Sequence, residues 1–275
     1  MNDWGLYHIR LFDFNHLEVL NPKDIYEVLM IVIHLYLRDI FILLEVDFMK
    51  KVEILSLNVG KPKDMEFGKK SITTGFFKQH IQQAVFLSRT NFTGDGQGDL
   101  VHHGGVHKAV CVYPYEHYSH WENTLDRTLS HGAFGENLTI DGMTEEDVCI
   151  GDSFLLGEAI VQVSQPRQPC FKLALVYERK ELPLLVQDTG FTGFYFRVLR
   201  EGMVSPTDML VPLTRQAHAI SVAEANRLMH HDKQDLEAVR RLLEVEELSP
   251  SWRKTFEKRV AGQDVNTSER ISGET

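Results

Sequence analysis

Gln165-Pro166-Arg167-Gln168-Pro169-Cys170 is the stretch of this chain best equipped to do chemistry. It follows an alternating, strand-like run at 159–164 and precedes a helical-looking run at 171–176. A cysteine at the end of a strand, stiffened by two prolines and opening a helix, has backbone N–H dipoles and a nearby guanidinium to favour its thiolate. That is how a metal ligand or a nucleophile is built. The competing reading is a small buried core residue, the commoner fate of a free cysteine.

Three further segments set polar side chains among glycines. Gly94-Asp95-Gly96-Gln97-Gly98-Asp99-Leu100-Val101-His102-His103-Gly104-Gly105-Val106-His107-Lys108 runs directly into a strand-like stretch. Its glycines let the backbone approach a ligand and present N–H groups to negative charge, and its histidines offer protonatable edges. It reads as a ligand-lining loop or as a glycine-rich hairpin with surface histidines. A histidine zinc site is disfavoured, because the adjacent His102 and His103 point to opposite faces of an extended chain. In 132–140, Glu136 and Asn137 enter a strand behind Gly135. There they either face a pocket at a barrel mouth or close a local turn. In Gly190-Phe191-Thr192-Gly193-Phe194-Tyr195-Phe196-Arg197, Arg197 either clamps a phosphate bidentately or pairs with one of the abundant carboxylates.

The elements that must position these groups are mostly strands. Alternation and glycine or proline punctuation predict strands at 52–59, 84–87, 108–113, 137–140, 152–156, 159–164 and 193–199, with a tight hairpin at Gly157-Glu158. Short helices are predicted at 115–125 and 180–187. So many short strands in one domain favour a barrel, which removes exposed edges. After Arg215 the pattern becomes helical. Ser221-Val222-Ala223-Glu224 is a capping box, 235–246 carries Leu236, Val239, Leu242 and Leu243 at helical spacing, and Ser249-Pro250 opens a third helix with Gly262 at its end. The organisation expected is an N-terminal extension at 1–48, a β-barrel domain at 49–215, a small three-helix domain at 216–262 and a disordered polar tail at 263–275.

With 275 residues and 43% hydrophobic content the chain can bury a sizeable core. A formal charge of −10 argues against a nucleic-acid binder. Cys111, Cys149 and Cys170 are odd in number and widely spaced, which indicates neither a disulfide framework nor a zinc ribbon and points to reducing cytoplasm. The apolar run 28–44 is interrupted by His34, Arg38 and Asp39. Two central charges oppose membrane insertion by about 5–7 kcal/mol, so no membrane span is expected. The run also lacks the layout of a signal peptide. Met49-Lys50-Lys51 precedes a regular strand, and the expected biological start is Met49.

In order along the chain, H-H-G-G, G-E-N-L-T, S-Q-P-R-Q-P-C and T-G-F-Y-F-R-V-L resemble the MOSC domain family, and within it the bacterial 6-N-hydroxylaminopurine resistance proteins of the YiiM type. The resemblance covers 49–215, and the three C-terminal helices match that subfamily's small helical domain. It implies a mainly β fold, a MOSC-type barrel with a three-helix appendage, that binds a pyranopterin molybdenum cofactor. Cys170 matches the cysteine expected to ligate molybdenum. On this resemblance, Cys170, Glu136 and His103 are the expected catalytic residues. Arg167, His102, His103, Gly104, Gly105, Asn137 and Arg197 are expected to bind the cofactor. The implied activity is reduction of small N-hydroxylated compounds, R-NHOH to R-NH2. The sequence shows no flavin, haem or iron–sulfur motif of its own, so the electrons are expected from a separate reductase. A homodimer through the helical appendage is compatible with the pattern. Two rival functions are a molybdenum cofactor or sulfur carrier without turnover, and a cysteine hydrolase using His102, His103 or His107 as base.

Overall fold

The computed structural model of the chain describes residues 51–67, 70–100, 103–263, 270–271 and 273. The expectations for 1–48, for a start at Met49, for His102 and for most of the 263–275 tail lie outside those residues. The strands in chain order are β1 (Val52–Val59), β2 (Lys63–Phe67), β3 (Lys70–Thr74), β4 (Gln79–His80), β5 (Val85–Leu87), β6 (Val110–Pro114), β7 (Leu138–Asp141), β8 (Ser153–Leu156), β9 (Ala159–Pro166), β10 (Phe194–Arg200), β11 (Gly202–Val204) and β12 (Met209–Thr214).

Seven of these strands close a barrel in the order β12-β8-β9-β10-β6-β7-β1, with β1 returning to β12. Alternation decides which side chains fill it. Ala159, Val161 and Val163 of β9 and Phe194, Phe196 and Val198 of β10 point inward, while Ile160, Gln162 and Arg197 between them stay half-exposed. The closing strand β12 escapes the sequence pattern because Pro212 stands in its middle and has no N–H to donate. A register shift between Pro212 and Thr214 against β8 accommodates it. Leu210 then pairs with both Leu156 and Val52 and is fully buried.

The hairpin expected at Gly157-Glu158 joins β8 to β9, with Leu156 opposite Ala159. Gly157 has a φ of +57°, and a Cβ there would meet an Asp208 carboxylate oxygen at 2.4 Å and the Met203 carbonyl oxygen at 2.5 Å. Gly157→Ala should therefore cost about 1–3 kcal/mol in urea unfolding. A midpoint unchanged from the parent protein would show that this corner relaxes freely.

The helices are α1 (Tyr118–Leu125), α2 (Lys172–Tyr177), α3 (Leu182–Thr189), α4 (Val222–His230), α5 (Leu236–Leu243) and α6 (Pro250–Val260). The three C-terminal helices start where their caps predict. Ser221 Oγ accepts the Glu224 N–H at 3.0 Å, Asp235 Oδ1 that of Ala238 at 3.0 Å, and Ser249 Oγ that of Trp252 at 3.5 Å. Each is too short to stand alone, and their apolar faces join the barrel's core. Leu228, Val239, Leu242, Trp252 and Phe256 belong to the same buried cluster as Phe154, Val161 and Phe196. A second cluster, with Tyr113, Tyr118, Trp121, Phe134, Leu173 and Leu182 among its members, lies beneath α1, α2 and α3. Among the described residues no helix is long and apolar enough to cross a membrane.

Candidate functional site

The β6–β7 pair is parallel, unlike every other neighbouring pair in the barrel. Its connection must therefore cross from one end of the barrel to the other, and it carries α1 and then the loop holding Phe134, Gly135, Glu136 and Asn137. The same region receives the exit of β9, which bends through Pro166 and Pro169 into α2. Between these segments and the chain entering β6 lies an open cleft of about 660 Å³, counting its mouth.

Cys170 lines the cleft and is half-buried. Hydrogen bonds tie the four sequence segments together around it. The Arg167 N–H donates to the Gly193 carbonyl at 3.0 Å, and its Nη2 donates to the Phe134 carbonyl at 2.7 Å. Ser164 Oγ donates to the His107 carbonyl at 2.6 Å and to that of Tyr195 at 3.1 Å. Asn137 Oδ1 accepts the Cys111 N–H at 3.0 Å, while its Nδ2 donates to the Asn58 carbonyl at 3.1 Å and to Asp95 Oδ2 at 2.9 Å. Asn137 thus shapes the cleft wall with its polar capacity already committed.

Four cations border this space: Lys78, Lys108, Arg167 and Lys172. Lys78 is held by Asp95, a pair with almost no solvent exposure. Lys172 Nζ donates to the Thr73 carbonyl at 3.4 Å. Arg167 Nη1 is buried without a hydrogen-bond partner, an unmet donor in a residue that lines the cleft. Lys78 and Lys172 are not among the site residues expected from the sequence. Lys172 carries the available signal, standing two residues after Cys170; nothing marks Lys78, which reaches the cleft only through the fold.

Two thiols border the cleft, and burial separates them. Cys111 is nearly sealed and its thiol is pushed up to about 11, mainly by desolvation, so at neutral pH it stays a neutral thiol. Tyr195 is likewise pushed up by burial and keeps its phenol proton. His103 lines the cleft with its pKa lowered to about 4, by burial first and Lys172 second. Its ring is therefore neutral across the physiological range. The unfolded chain takes up this proton near pH 6.5 and the folded chain only near 4, so stability is intact above about 6.5 and falls as the pH drops toward 4. His103→Asn should flatten that limb by roughly 2 kcal/mol in urea melts taken across pH 4–7. An unchanged limb would mean that His103 titrates normally.

Several expected site residues lie elsewhere. Glu136 is fully buried, accepts from Tyr118 Oη at 2.6 Å, Gly132 N at 3.0 Å, Phe134 N at 2.9 Å and Thr139 Oγ1 at 2.8 Å, and does not border the cleft. Expected as a proton donor to substrate, it instead has its four hydrogen bonds within the loop that carries Phe134 and Asn137 and the flanking α1 and β7, which they brace. Arg197 does not reach the cleft either, since its guanidinium donates to the Glu247 carbonyl at the α5–α6 junction. Gly104 and Gly105 shape their own turn. A Cβ on Gly104 would meet the Leu100 carbonyl at 2.9 Å, whereas Gly105 is exposed with nothing within 4 Å.

Among the described residues no group of three His, Cys, Asp or Glu side chains could hold a metal ion. One half-exposed soft thiol, four bordering cations and an unmet guanidinium donor fit a group that combines a sulfur-ligated metal with a phosphate.

The comparisons with known proteins agree with this layout. Residues 99–211 match the MOSC domain, and residues 220–263 match the YiiM-like 3-alpha helix domain. The chain is 57% identical over 210 residues to the protein YflK of Bacillus subtilis (strain 168), covering 76% of this chain and 95% of that protein. It is 35% identical over 180 residues to a protein of Gibberella moniliformis (strain M3125 / FGSC 7600) named a reductase, covering 64% of this chain and 32% of that longer protein. The crystal structure of YiiM from Geobacillus stearothermophilus superposes with a TM-score of 0.66 at 41% identity, covering 76% of this chain and 99% of that one. A seven-stranded barrel carrying a three-helix appendage, matched in sequence over both parts, places this chain in the MOSC domain family, in its YiiM-like branch.

Proposed function

We propose that the cleft binds a pyranopterin molybdenum cofactor through Cys170, and that the chain reduces N-hydroxylated compounds, R-NHOH + 2 H⁺ + 2 e⁻ → R-NH2 + H2O. The observation that carries the reading is one half-exposed thiol among four cations, with no three-residue metal-ligand group among the described residues. The reductase name of the Gibberella relative supports the reaction class. When bound, the cofactor supplies a two-electron centre that takes the hydroxyl oxygen from nitrogen.

Everything else falls to this chain's own side chains. Cys170 offers sulfur to a centre that already carries sulfur, a soft–soft match. Arg167, Lys108 and Lys172 favour an anionic tail, and the unmet Arg167 Nη1 is a donor available to a phosphate oxygen. Neutral His103 adds a hydrogen-bonding edge without adding charge. With Glu136 locked in its own loop, the Tyr195 phenol, which borders the cleft and keeps its proton because burial pushes it up, is a donor for the amine product. The electrons come from a separate reductase, and the three free cysteines suit a reducing cytoplasm.

The test is elemental analysis with pterin fluorescence on protein made in a host that synthesises the cofactor, followed by turnover of an N-hydroxylated base with an artificial electron donor. Molybdenum near one per chain with turnover supports the proposal. Molybdenum without turnover favours a carrier, and absence of both metal and pterin ends the reading.

A further inference from the structure

The backbone on either side of Cys170 is held from behind by a residue of the C-terminal tail. The Phe171 N–H donates to the Arg270 carbonyl at 2.9 Å. The Arg270 guanidinium donates through Nη1 to the Pro169 carbonyl, and through Nη2 to Gln187 Oε1 of α3 at 2.6 Å. One residue therefore grips the carbonyl just before Cys170 and the amide just after it, and anchors both to a helix. Cys170's own carbonyl accepts the Leu173 N–H at 3.0 Å, so the peptide groups around the thiol are fixed on both sides. Gly273 lies flush on the Phe171 ring, where a Cβ would stand 2.8 Å from ring carbons.

Arg270 and Gly273 lie beyond the matched family domains. The three-helix match ends at residue 263, and Arg270 does not line the cleft. Burial opposes the Arg270 charge, and the neighbouring Cys170 favours it.

We propose that Arg270 is a positioning residue for Cys170, its two backbone contacts fixing the direction in which the thiol enters the cleft. The functional consequence rests on the reading of Cys170 as a ligand, but the geometry does not. A loop held at its backbone presents sulfur in one direction, and a loop released from those contacts samples several. Release should speed reagents that need only access and slow binding that needs orientation.

The experiment is alkylation of the full-length protein with iodoacetamide at fixed pH, quantified at each cysteine by peptide mass spectrometry. Arg270→Ala, and a second variant lacking residues 270–275, should label at Cys170 at least tenfold faster than the parent. The melting temperature should stay within about 2 °C, and buried Cys149 should stay unlabelled. Arg270→Lys, which restores one donor to the Pro169 carbonyl but not the fork to Gln187, should lie between. Equal Cys170 rates in all the proteins overturn the proposal. So does a rise shared by Cys149, which would report general loosening. Because labelling needs no metal, its failure is distinct from a failure to find molybdenum.

Discussion

Cys170→Ser should leave a folded protein that no longer retains molybdenum and reduces N-hydroxylated bases at less than about one-hundredth of the parent rate. Serine keeps the size and the backbone, and the half-buried position at a cleft gives it room and solvent. The change is chemical. A serine hydroxyl stays protonated at neutral pH, and its oxygen is a hard donor, so the soft ligand is removed without creating a cavity. Stability should shift by less than about 1 kcal/mol, as for substitutions away from the core. Metal content per chain, turnover with an artificial donor and a urea melt read the three quantities separately. A Cys170→Ser protein that holds molybdenum and turns over would sink the assignment of Cys170 as ligand. Cys111→Ser gives the contrast. That thiol is buried and neutral, so its replacement should act on packing and leave metal content in place.

Glu136→Ala should produce the largest loss of stability of any single change near the cleft, about 3–5 kcal/mol. The carboxylate has no solvent exposure and is met by two backbone N–H groups and two hydroxyls. Removing it strands the Phe134 amide and the Tyr118 and Thr139 hydroxyls in a buried interior and frees the half-exposed Gly132 amide, and each stranded buried donor costs about 1–3 kcal/mol unless the loop opens to water. Tyr118 makes the effect visible from the other side, because its phenol is pushed well above its ordinary range, chiefly by burial and then by the Glu136 charge. Glu136→Gln keeps the shape but offers one oxygen in place of two, and should lose roughly half as much. Urea unfolding followed by tryptophan fluorescence measures both. A wild-type midpoint combined with lost turnover would restore Glu136 as a proton donor and refute the bracing role.

These two residues also show what could be read from the chain alone. Cys170 was legible because its signal is local: a strand, two prolines, a helix start. The barrel was legible for the same reason, through alternation in β1, β9 and β10, and the capping residues Ser221 and Ser249 gave two of the helix starts, the third coming from apolar spacing. Glu136 was legible as important but not in its task, since a carboxylate after a glycine looks the same whether it faces a ligand or four donors of its own loop. Arg197 failed similarly: its strand phase was right, yet its partner is a carbonyl fifty residues downstream in the helical unit. Lys78 and the tail residue Arg270 gave no sign, because each gains its role from segments far away in sequence. Pro212 hid β12 by obeying a rule that a bulge circumvents.

That hidden strand has a bearing on how the molecule assembles. β1 is the first strand described and β12 the last of the barrel, and they are hydrogen-bonded neighbours. A nascent chain leaving the ribosome presents β1 long before its partner is synthesised, with a row of unpaired amides and carbonyls along one side. The ring locks only when Leu210 arrives beside Val52, which makes closure a late, long-range and slow event. Truncation anywhere before Thr214 should consequently yield a sticky, self-associating sheet in place of a smaller folded domain.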